Sequence, residues 1–289
     1  MTDKWHIGVI GGSGLAAGLA LGDAQVIEVA SPFGPPSAAV TIGTLAGVRF
    51  TFLPRHGEGH AIPPSSVNYR ANIDVLKRCG VTDVIALSAI GSLNSAMVPG
   101  SFVAVDQFID RTTAREGSFF GPGLVAHVSL ADPVCPRLRH GLVAAAQAEE
   151  APVHDGGCYV AIDGPQFSTR AESRLYQTWG GDVIGMTGMP EARLAREAEL
   201  PYAMLGMVTD YDSWRADDVG VEASNVLEVM HRNVAVARRV IGRLAASLPA
   251  TRSPSPIDAA LSHAIMTAPA ARDAALVAKL QAVAGRMLK

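Results

Sequence analysis

The sequence predicts a single α/β domain: a central mixed, mostly parallel twisted sheet with helices against its faces. Three observations predict it. Short apolar runs, such as His6 to Ile10, Val84 to Leu87 and Tyr202 to Val208, recur along the chain and read as strands buried on both faces. Between them lie segments with helical spacing: Asn68 to Cys79, Cys135 to Glu150, Glu191 to Glu199 and about Val221 to Ser247. One strand after another then ends in glycine, hydroxyl-bearing or charged residues, the place where open α/β sheets bind ligands.

With 289 residues, 48% of them hydrophobic, the chain is long enough to bury one large core. A formal charge of -3, with Lys and Arg scattered, gives no electrostatic case for nucleic acid. Cys79, Cys135 and Cys158 are odd in number and lack ligand spacing. They suggest neither a disulfide framework nor a zinc site, and a reducing cytoplasm fits them. The amino terminus shows no basic leader with a cleavage site, and no apolar run reaches the roughly 18 residues of a membrane span. A soluble protein without membrane contact is expected. After Pro249 the composition changes, and Thr251-Arg252-Ser253-Pro254-Ser255-Pro256 reads as a linker. Residues 1–248 are therefore the main domain. Residues 249–289 are a linker and an alanine-rich helical extension, interrupted at Pro269, that docks on the body or on a neighbouring subunit.

The strand His6 to Ile10 runs into Gly11-Gly12-Ser13-Gly14, whose open amides and Ser13 hydroxyl suit an anion as well as an ordinary turn. The spacing Gly12, Gly14, Ala17, with Glu28 in a strand Gln25 to Val29, also meets the loose dinucleotide fingerprint, so an NAD-dependent dehydrogenase is a rival. The alternating segments Ala39 to Leu45 and Val48 to Leu53 count against it. They read as a hairpin where a Rossmann unit needs a helix and crossover.

Val48 to Leu53 leads into Pro54-Arg55-His56-Gly57, where Arg55 offers a planar fork and His56 a further donor to a phosphate. The alternative is that Arg55 pairs with a nearby carboxylate and the histidines are solvated. Ser88 follows Val84 to Leu87 in a small-residue turn, as an anion donor or a turn cap. Phe102 to Ile109 is a strand, and residues 114–133 form a long loop of the kind that is functional or lies at an interface. His127 within it reads as a surface or interface histidine. Gly157 to Ile162 is a strand ending in a ligand loop, Asp163 to Glu172, with Ser168 near a helix start. There Phe167 covers a flat heterocycle or serves as a core or staple residue. Met186 and Thr187 end the strand Asp182 to Met186.

Asp210 and Asp212 end the strand Tyr202 to Val208, within Thr209-Asp210-Tyr211-Asp212-Ser213-Trp214. On extended backbone they point to one side with Tyr211 opposite. Such a pair caps a loop and helix, holds a metal or grips a polar ligand. If the strand ends converge, hydroxyls and an arginine face an oxyanion at one end and carboxylates lie at the other. That pattern suits a phosphate, a sugar and a base.

Ile10-Gly11-Gly12-Ser13-Gly14, Pro54-Arg55-His56-Gly57, Asn68-Tyr69-Arg70-Ala71-Asn72, Gly164 to Ser173, Gly185-Met186-Thr187 and Thr209 to Trp214 together resemble the trimeric purine nucleoside phosphorylase family, closest to its methylthioadenosine phosphorylase branch. The resemblance spans roughly residues 7–247 in one order. It implies a nucleoside phosphorylase domain that converts a purine nucleoside and inorganic phosphate to free base and pentose 1-phosphate, with neither metal nor organic cofactor. It further implies that Ser13, Arg55, His56, Ser88, Ala89 and Thr187 bind phosphate and that Met186 packs on the ribose. Phe167 would lie on the purine, with Ser168 and Asp212 at the base and Asp210 at its N7 position. Ala223, Val226 and Leu227 would line an apolar 5′ pocket, and His127 would reach the neighbouring site of a homotrimer.

Asp210, desolvated beside Asp212, is expected to have a raised pKa and to supply the proton. An Asp at position 212 suits the amino group of adenine, whereas Asn would suit a 6-oxo group, so 5′-methylthioadenosine is the expected nucleoside. Ser13 and Ser88 stand where the animal enzymes usually carry threonine, which keeps the hydroxyls. Gly185-Met186-Thr187-Gly188-Met189-Pro190 is similar instead to bacterial methylthioinosine phosphorylases, which makes 5′-methylthioinosine or purine nucleosides in general the alternative.

Overall fold

The apolar run Val84 to Leu87 lies at the centre of the sheet, in a strand that continues to Ser92. The computed structural model describes residues 3–12, 14–215 and 223–288. Its elements in chain order are β1 (His6–Gly11), α1 (Gly14–Ala17), β2 (Gly22–Ile27), β3 (Val40–Leu45), β4 (Val48–Pro54), α2 (Tyr69–Arg78), β5 (Asp83–Ser92), β6 (Phe102–Val105), β7 (Gln107–Asp110), α3 (Pro136–Ala148), β8 (Val153–Asp155), β9 (Cys158–Ala161), α4 (Arg170–Thr178), β10 (Val183–Gly185), α5 (Gly188–Glu197), β11 (Tyr202–Asp210), α6 (Ala223–Ser247), α7 (Ala274–Lys279) and α8 (Gln281–Ala284).

Among the described residues these strands form one mixed sheet in the order β2-β3-β4-β1-β5-β10-β9-β7, with β6 and β8 branching from β11. The strand β5 is the fork. It pairs in parallel with β1 through Asp83 to Ala86 and with β11 through Val84 to Gly91. Its last residues pair antiparallel with β10. Alternation along β5 and β11 explains why these strands read as unbroken apolar runs. Val84, Ala86, Tyr202, Met204 and Val208 enter one buried cluster, and Ile85, Leu87, Ala203, Leu205 and Met207 enter the other. Helices α2, α5 and α8 cover the first face, and α3 and α6 the second. Local chemistry sets the helix ends. Asn68 accepts from the Ala71 N–H to start α2, and Thr169 with Glu172 forms a capping box on α4, each satisfying amides that the first turn leaves open.

Two expectations need correction, and the hairpin that counted against a dehydrogenase is present. Ser88 to Ser92 continue β5 rather than turning. Phe102 to Ile109 is two strands divided at Asp106, because β6 pairs with β11 and β8 while β7 pairs with β9. The strand β8 lies between the expected helix and the strand that follows it. The dinucleotide motif opens only a four-residue helix, and β2, β3 and β4 then form antiparallel pairs, so the Rossmann crossover is absent there. No helix among the described residues is long and apolar enough to cross a membrane.

Residues 249–288 pack on the body. Leu261, Ala264, Leu280, Val283 and Ala284 belong to the same buried cluster as β5 and β11, although short 3-10 turns take the place of much of the expected helix. Arg252, 4% exposed, reaches Asp83 at 2.5 Å and Asp258 at 2.6 Å. The extension also pairs with the long loop, where Ala126 bridges Ile265 and the His127 N–H donates to Ala264 O. Earlier in that loop, Glu197 accepts from the Ser118 hydroxyl and the Phe119 N–H, both at 2.7 Å.

Two outcomes follow. Arg252→Ala strands a buried carboxylate, and since Asp83 keeps Arg137 the loss is set at about 3 kcal/mol, read by urea unfolding. Burial pushes Glu197 from its ordinary 4.5 up to about 7. A carboxyl raised on folding keeps its proton after the unfolded chain has released it. Its contribution is therefore complete below 4.5 and is lost as pH rises through about 7. Glu197→Gln, neutral throughout, is expected to exceed the parent protein in unfolding temperature at about pH 8 and to match it at about pH 5. Parallel curves for the two proteins would contradict this.

Candidate active site

Candidate residues from different elements meet at two places along β5. At the first, the Ser88 and Thr187 hydroxyl oxygens lie 3.0 Å apart, both side chains buried. The Ser88 Oγ also donates to Ala89 O at 3.1 Å. Thr187 precedes α5, and its N–H and that of Gly188 donate to the Tyr159 phenol oxygen at 3.2 and 3.3 Å. Tyr159 thus satisfies amides that a helix N-terminus otherwise leaves open.

Arg55 follows β4 and is 2% exposed. Its Nε and Nη2 grip Glu191 at 2.9 and 3.0 Å, and Nη1 donates to Leu87 O at 2.9 Å. Nη2 also approaches Ile10 O at 3.4 Å. The ion pair weighed as an alternative is thus present, and it leaves one Nη1 N–H for another partner. Burial alone would lower the Arg55 pKa, and the Glu191 carboxylate more than reverses this. The same carboxylate accepts from the Tyr202 phenol at 3.0 Å.

His56 is held by its Nδ1 at 2.9 Å from Ile62 O. A carbonyl only accepts, so Nδ1 carries the hydrogen. Burial and then the Arg55 charge lower the ring to about 4. At neutral pH its Nε2 therefore presents a lone pair, where a donor was expected.

At the second place, the end of β11 brings Asp210 and Asp212 over Gly91. A Cβ there would lie 2.9 Å from Asp210 Oδ1 and 3.4 Å from the Asp212 Cβ. The pair does not alternate on extended backbone as predicted. The register shifts between Val208 and Asp210, the strand ends at Asp210, and Asp212 turns at φ 48. Its N–H then donates to Asp210 Oδ1 at 2.8 Å, an Asx-type turn. Asp210 Oδ2 accepts from the Thr209 hydroxyl at 2.7 Å. Asp212 has a raised pKa. Burial, opposed by the Ser173 and Ser213 hydrogen bonds and helped by the Asp210 charge, pushes it up to about 6. Ser173 Oγ lies 2.5 Å from Asp212 Oδ2.

Between these places, the Met186 side chain packs on Gly164, where a Cβ would lie 2.3 Å from its Sδ. Ser168 is 8% exposed and its Oγ is buried without a protein partner. Such an orphan hydroxyl is rare in a folded core. Phe167 beside it is 42% exposed, which rules out a core role. His127 is exposed. Ser13 lies outside the described residues, as do the side chains of Ala223, Val226 and Leu227. No group of three or more His, Cys, Asp or Glu among the described residues is placed to hold a metal ion.

Glu191, Tyr159, Tyr202, Ser173 and Arg115 were not singled out in the sequence. Glu191 read as a helix former, and its partner is 136 residues away. A depression of about 350 Å³ opens beside Trp214, lined by Asn94, Gln177 and Asp182. Asn94 already donates to Asp182, and Gln177 to Leu93 O, so these polar groups are taken up within the protein.

A family profile described as the phosphorylase superfamily matches residues 6–246. The S-methyl-5′-thioadenosine phosphorylase of Bradyrhizobium diazoefficiens is 54% identical over 285 residues, covering 98% of each chain. That of Cereibacter sphaeroides is 54% identical over 288 residues, covering 99% of each. A crystal structure of a methylthioadenosine phosphorylase from an antarctic soil metagenomic library superposes with a TM-score of 0.90 at 41% identity, over 98% of this chain and 99% of that one. The methylthioadenosine phosphorylase of Schistosoma mansoni in complex with adenine gives 0.79 at 38% identity, over 84% and 91%. With this strand order, these residues at the strand ends and these likenesses, the chain belongs to the phosphorylase superfamily.

Proposed function

We propose that the protein catalyses phosphorolysis of 5′-methylthioadenosine to adenine and 5-methylthioribose 1-phosphate, serving purine and methionine salvage in the cytoplasm, without metal or organic cofactor. The observation that carries this is the division of polar groups along β5. The Ser88–Thr187 hydroxyl pair lies at one position and the Asp210–Asp212 pair beside Gly91 three residues on, about 10 Å of strand. A pentose fits between an oxyanion site and a base site so spaced. The relatives named above support the nucleoside, and the Schistosoma mansoni protein holds adenine.

Cleavage of the glycosidic bond puts positive charge on the sugar and negative charge on the purine. Phosphate answers the first, held by Ser88, Thr187, the Ala89 backbone, the remaining Arg55 N–H and Ser13. His56 accepts the hydroxyl of monohydrogen phosphate at its Nε2. Attack from the opposite face inverts the anomeric carbon. Met186 packs on the ribose, Phe167 covers the purine, and Ser168 gives its orphan hydroxyl to the base. Asp210 delivers the proton to N7, and Asp212 accepts from the 6-amino group. Ala223, Val226 and Leu227 line the 5′ pocket, and His127 completes the neighbouring site of a homotrimer.

A second nucleoside has one observation in its favour. Burial that raises Asp212 to about 6 leaves part of it protonated near neutrality, and a protonated carboxyl donates to a 6-oxo group. Released base from 5′-methylthioadenosine, 5′-methylthioinosine, adenosine and inosine with phosphate decides between them. Methylthioadenosine is expected to turn over fastest, and faster cleavage of an oxo purine would move the assignment to methylthioinosine. Asp210→Ala is expected to stay folded by circular dichroism and to lose about 10²–10⁴ in turnover. Near-normal turnover would remove Asp210 from the proton-transfer role.

A further inference from the structure

The strands β9 and β10 run in parallel register to Ala161 and Gly185, with one more bond from the Ile162 N–H to Gly185 O at 3.0 Å. Beyond it the two chains separate. One leads to Phe167 and Ser168, the other to Met186 and Thr187. Where a ladder ends inside a protein, its carbonyls need other donors. Arg115 supplies them. Its side chain is 2% exposed, and its Nη1 donates to Met186 O at 2.6 Å and Met189 O at 2.7 Å. Its Nη2 donates to Ile162 O at 3.2 Å and Asp163 O at 2.8 Å. The Asp163 carboxylate lies 3.4 Å from Nε, and the guanidinium rests over the Tyr69 ring at 5.2 Å.

From this geometry, and resting on the function proposed above, we infer that Arg115 is a positioning residue that fixes the separation between the purine loop and the Thr187 turn. Two of its four carbonyls flank Thr187, and the other two open the loop to Ser168. Only a planar fork reaches all four, since a lysine is a single point of charge. Arg115 touches neither phosphate nor base. It acts by holding Thr187 and Ser168 at one spacing, so that phosphate and anomeric carbon meet in line.

The test compares full-length Arg115→Lys and Arg115→Ala with the parent protein, using phosphate and the nucleoside that the parent turns over. Both variants are checked for folding by circular dichroism and thermal unfolding. A misplacement of about 1 Å is expected to lower kcat about 100-fold in Arg115→Lys, with both KM values within about threefold. Added guanidinium ion is expected to restore kcat about tenfold in Arg115→Ala and to leave the parent unimproved. Backbone amides of 164–169 and 187–189 are expected to exchange hydrogen faster in Arg115→Lys than in the parent. Parental kcat with unchanged exchange would overturn the inference, as would loss of activity matched in both variants by loss of folded protein without rescue. A parent protein that releases no base from any of the nucleosides would sink the proposed function instead. Exchange at the two segments would then still decide the role of Arg115.

Discussion

The buried pair of Arg55 and Glu191 is the contact on which the rest of this architecture hangs. Neither side chain is more than 2% exposed, and removing one partner of such a pair leaves an uncompensated charge, at about 3–5 kcal/mol. The guanidinium also holds carbonyls of β1 and β5, and Glu191 takes the hydroxyl of Tyr202 at the start of β11. One cluster thus joins the end of β4, the first turn of α5 and the three central strands. It positions the backbone next to Ser88 and Thr187 and keeps a positive charge beside them without exposing it to water.

Charge is arranged in opposite senses along the sheet. Near Thr187 lie two buried guanidinium groups, Arg55 paired with Glu191 and Arg115, and they join burial in keeping His56 neutral. Near Gly91 the groups are acidic, and burial keeps a proton available on Asp212 at higher pH than an exposed aspartate would. Asp210, half-buried and receiving the Thr209 hydroxyl and the Asp212 N–H, has a more polar setting than its neighbour. Two carboxyls two residues apart thus sit in unlike surroundings.

Most of the fold was legible because strands buried on both faces leave continuous apolar runs, and because Asn68, Thr169 and the turn glycines mark where helices and strands end. The candidate residues Thr187, Asp210 and Asp212 were legible because each follows such a run, whereas the run before Ser88 hid that the strand continues to Ser92. Their partners were not. Glu191, Tyr202, Tyr159, Ser173 and Arg115 matter through contacts set by the fold, and nothing in the local pattern around Arg115 distinguishes it from a solvated loop arginine. The split of β6 from β7 at Asp106 was hidden because both halves are apolar and only their pairing differs. The turn at Asp212 was hidden because a positive φ in a non-glycine residue follows from its tertiary setting.

The long loop and the carboxy-terminal segment gain their meaning from each other. Residues 114–133 bury Phe119, Phe120 and Leu124 in the same cluster as β5 and β11, and they are also tied at three successive points. Arg115 is fixed in the splay between β9 and β10, Ser118 and Phe119 bind Glu197, and residues 121–127 pair with the segment around Ala264 and Asp273. Each tie satisfies backbone groups that a buried loop would otherwise leave open, at about 1–3 kcal/mol apiece. The first tie lies among the site residues and the last is the one that holds the His127 backbone. The carboxy-terminal segment therefore does more than cover apolar surface: it anchors the far end of the loop whose near end supports Thr187 and Ser168.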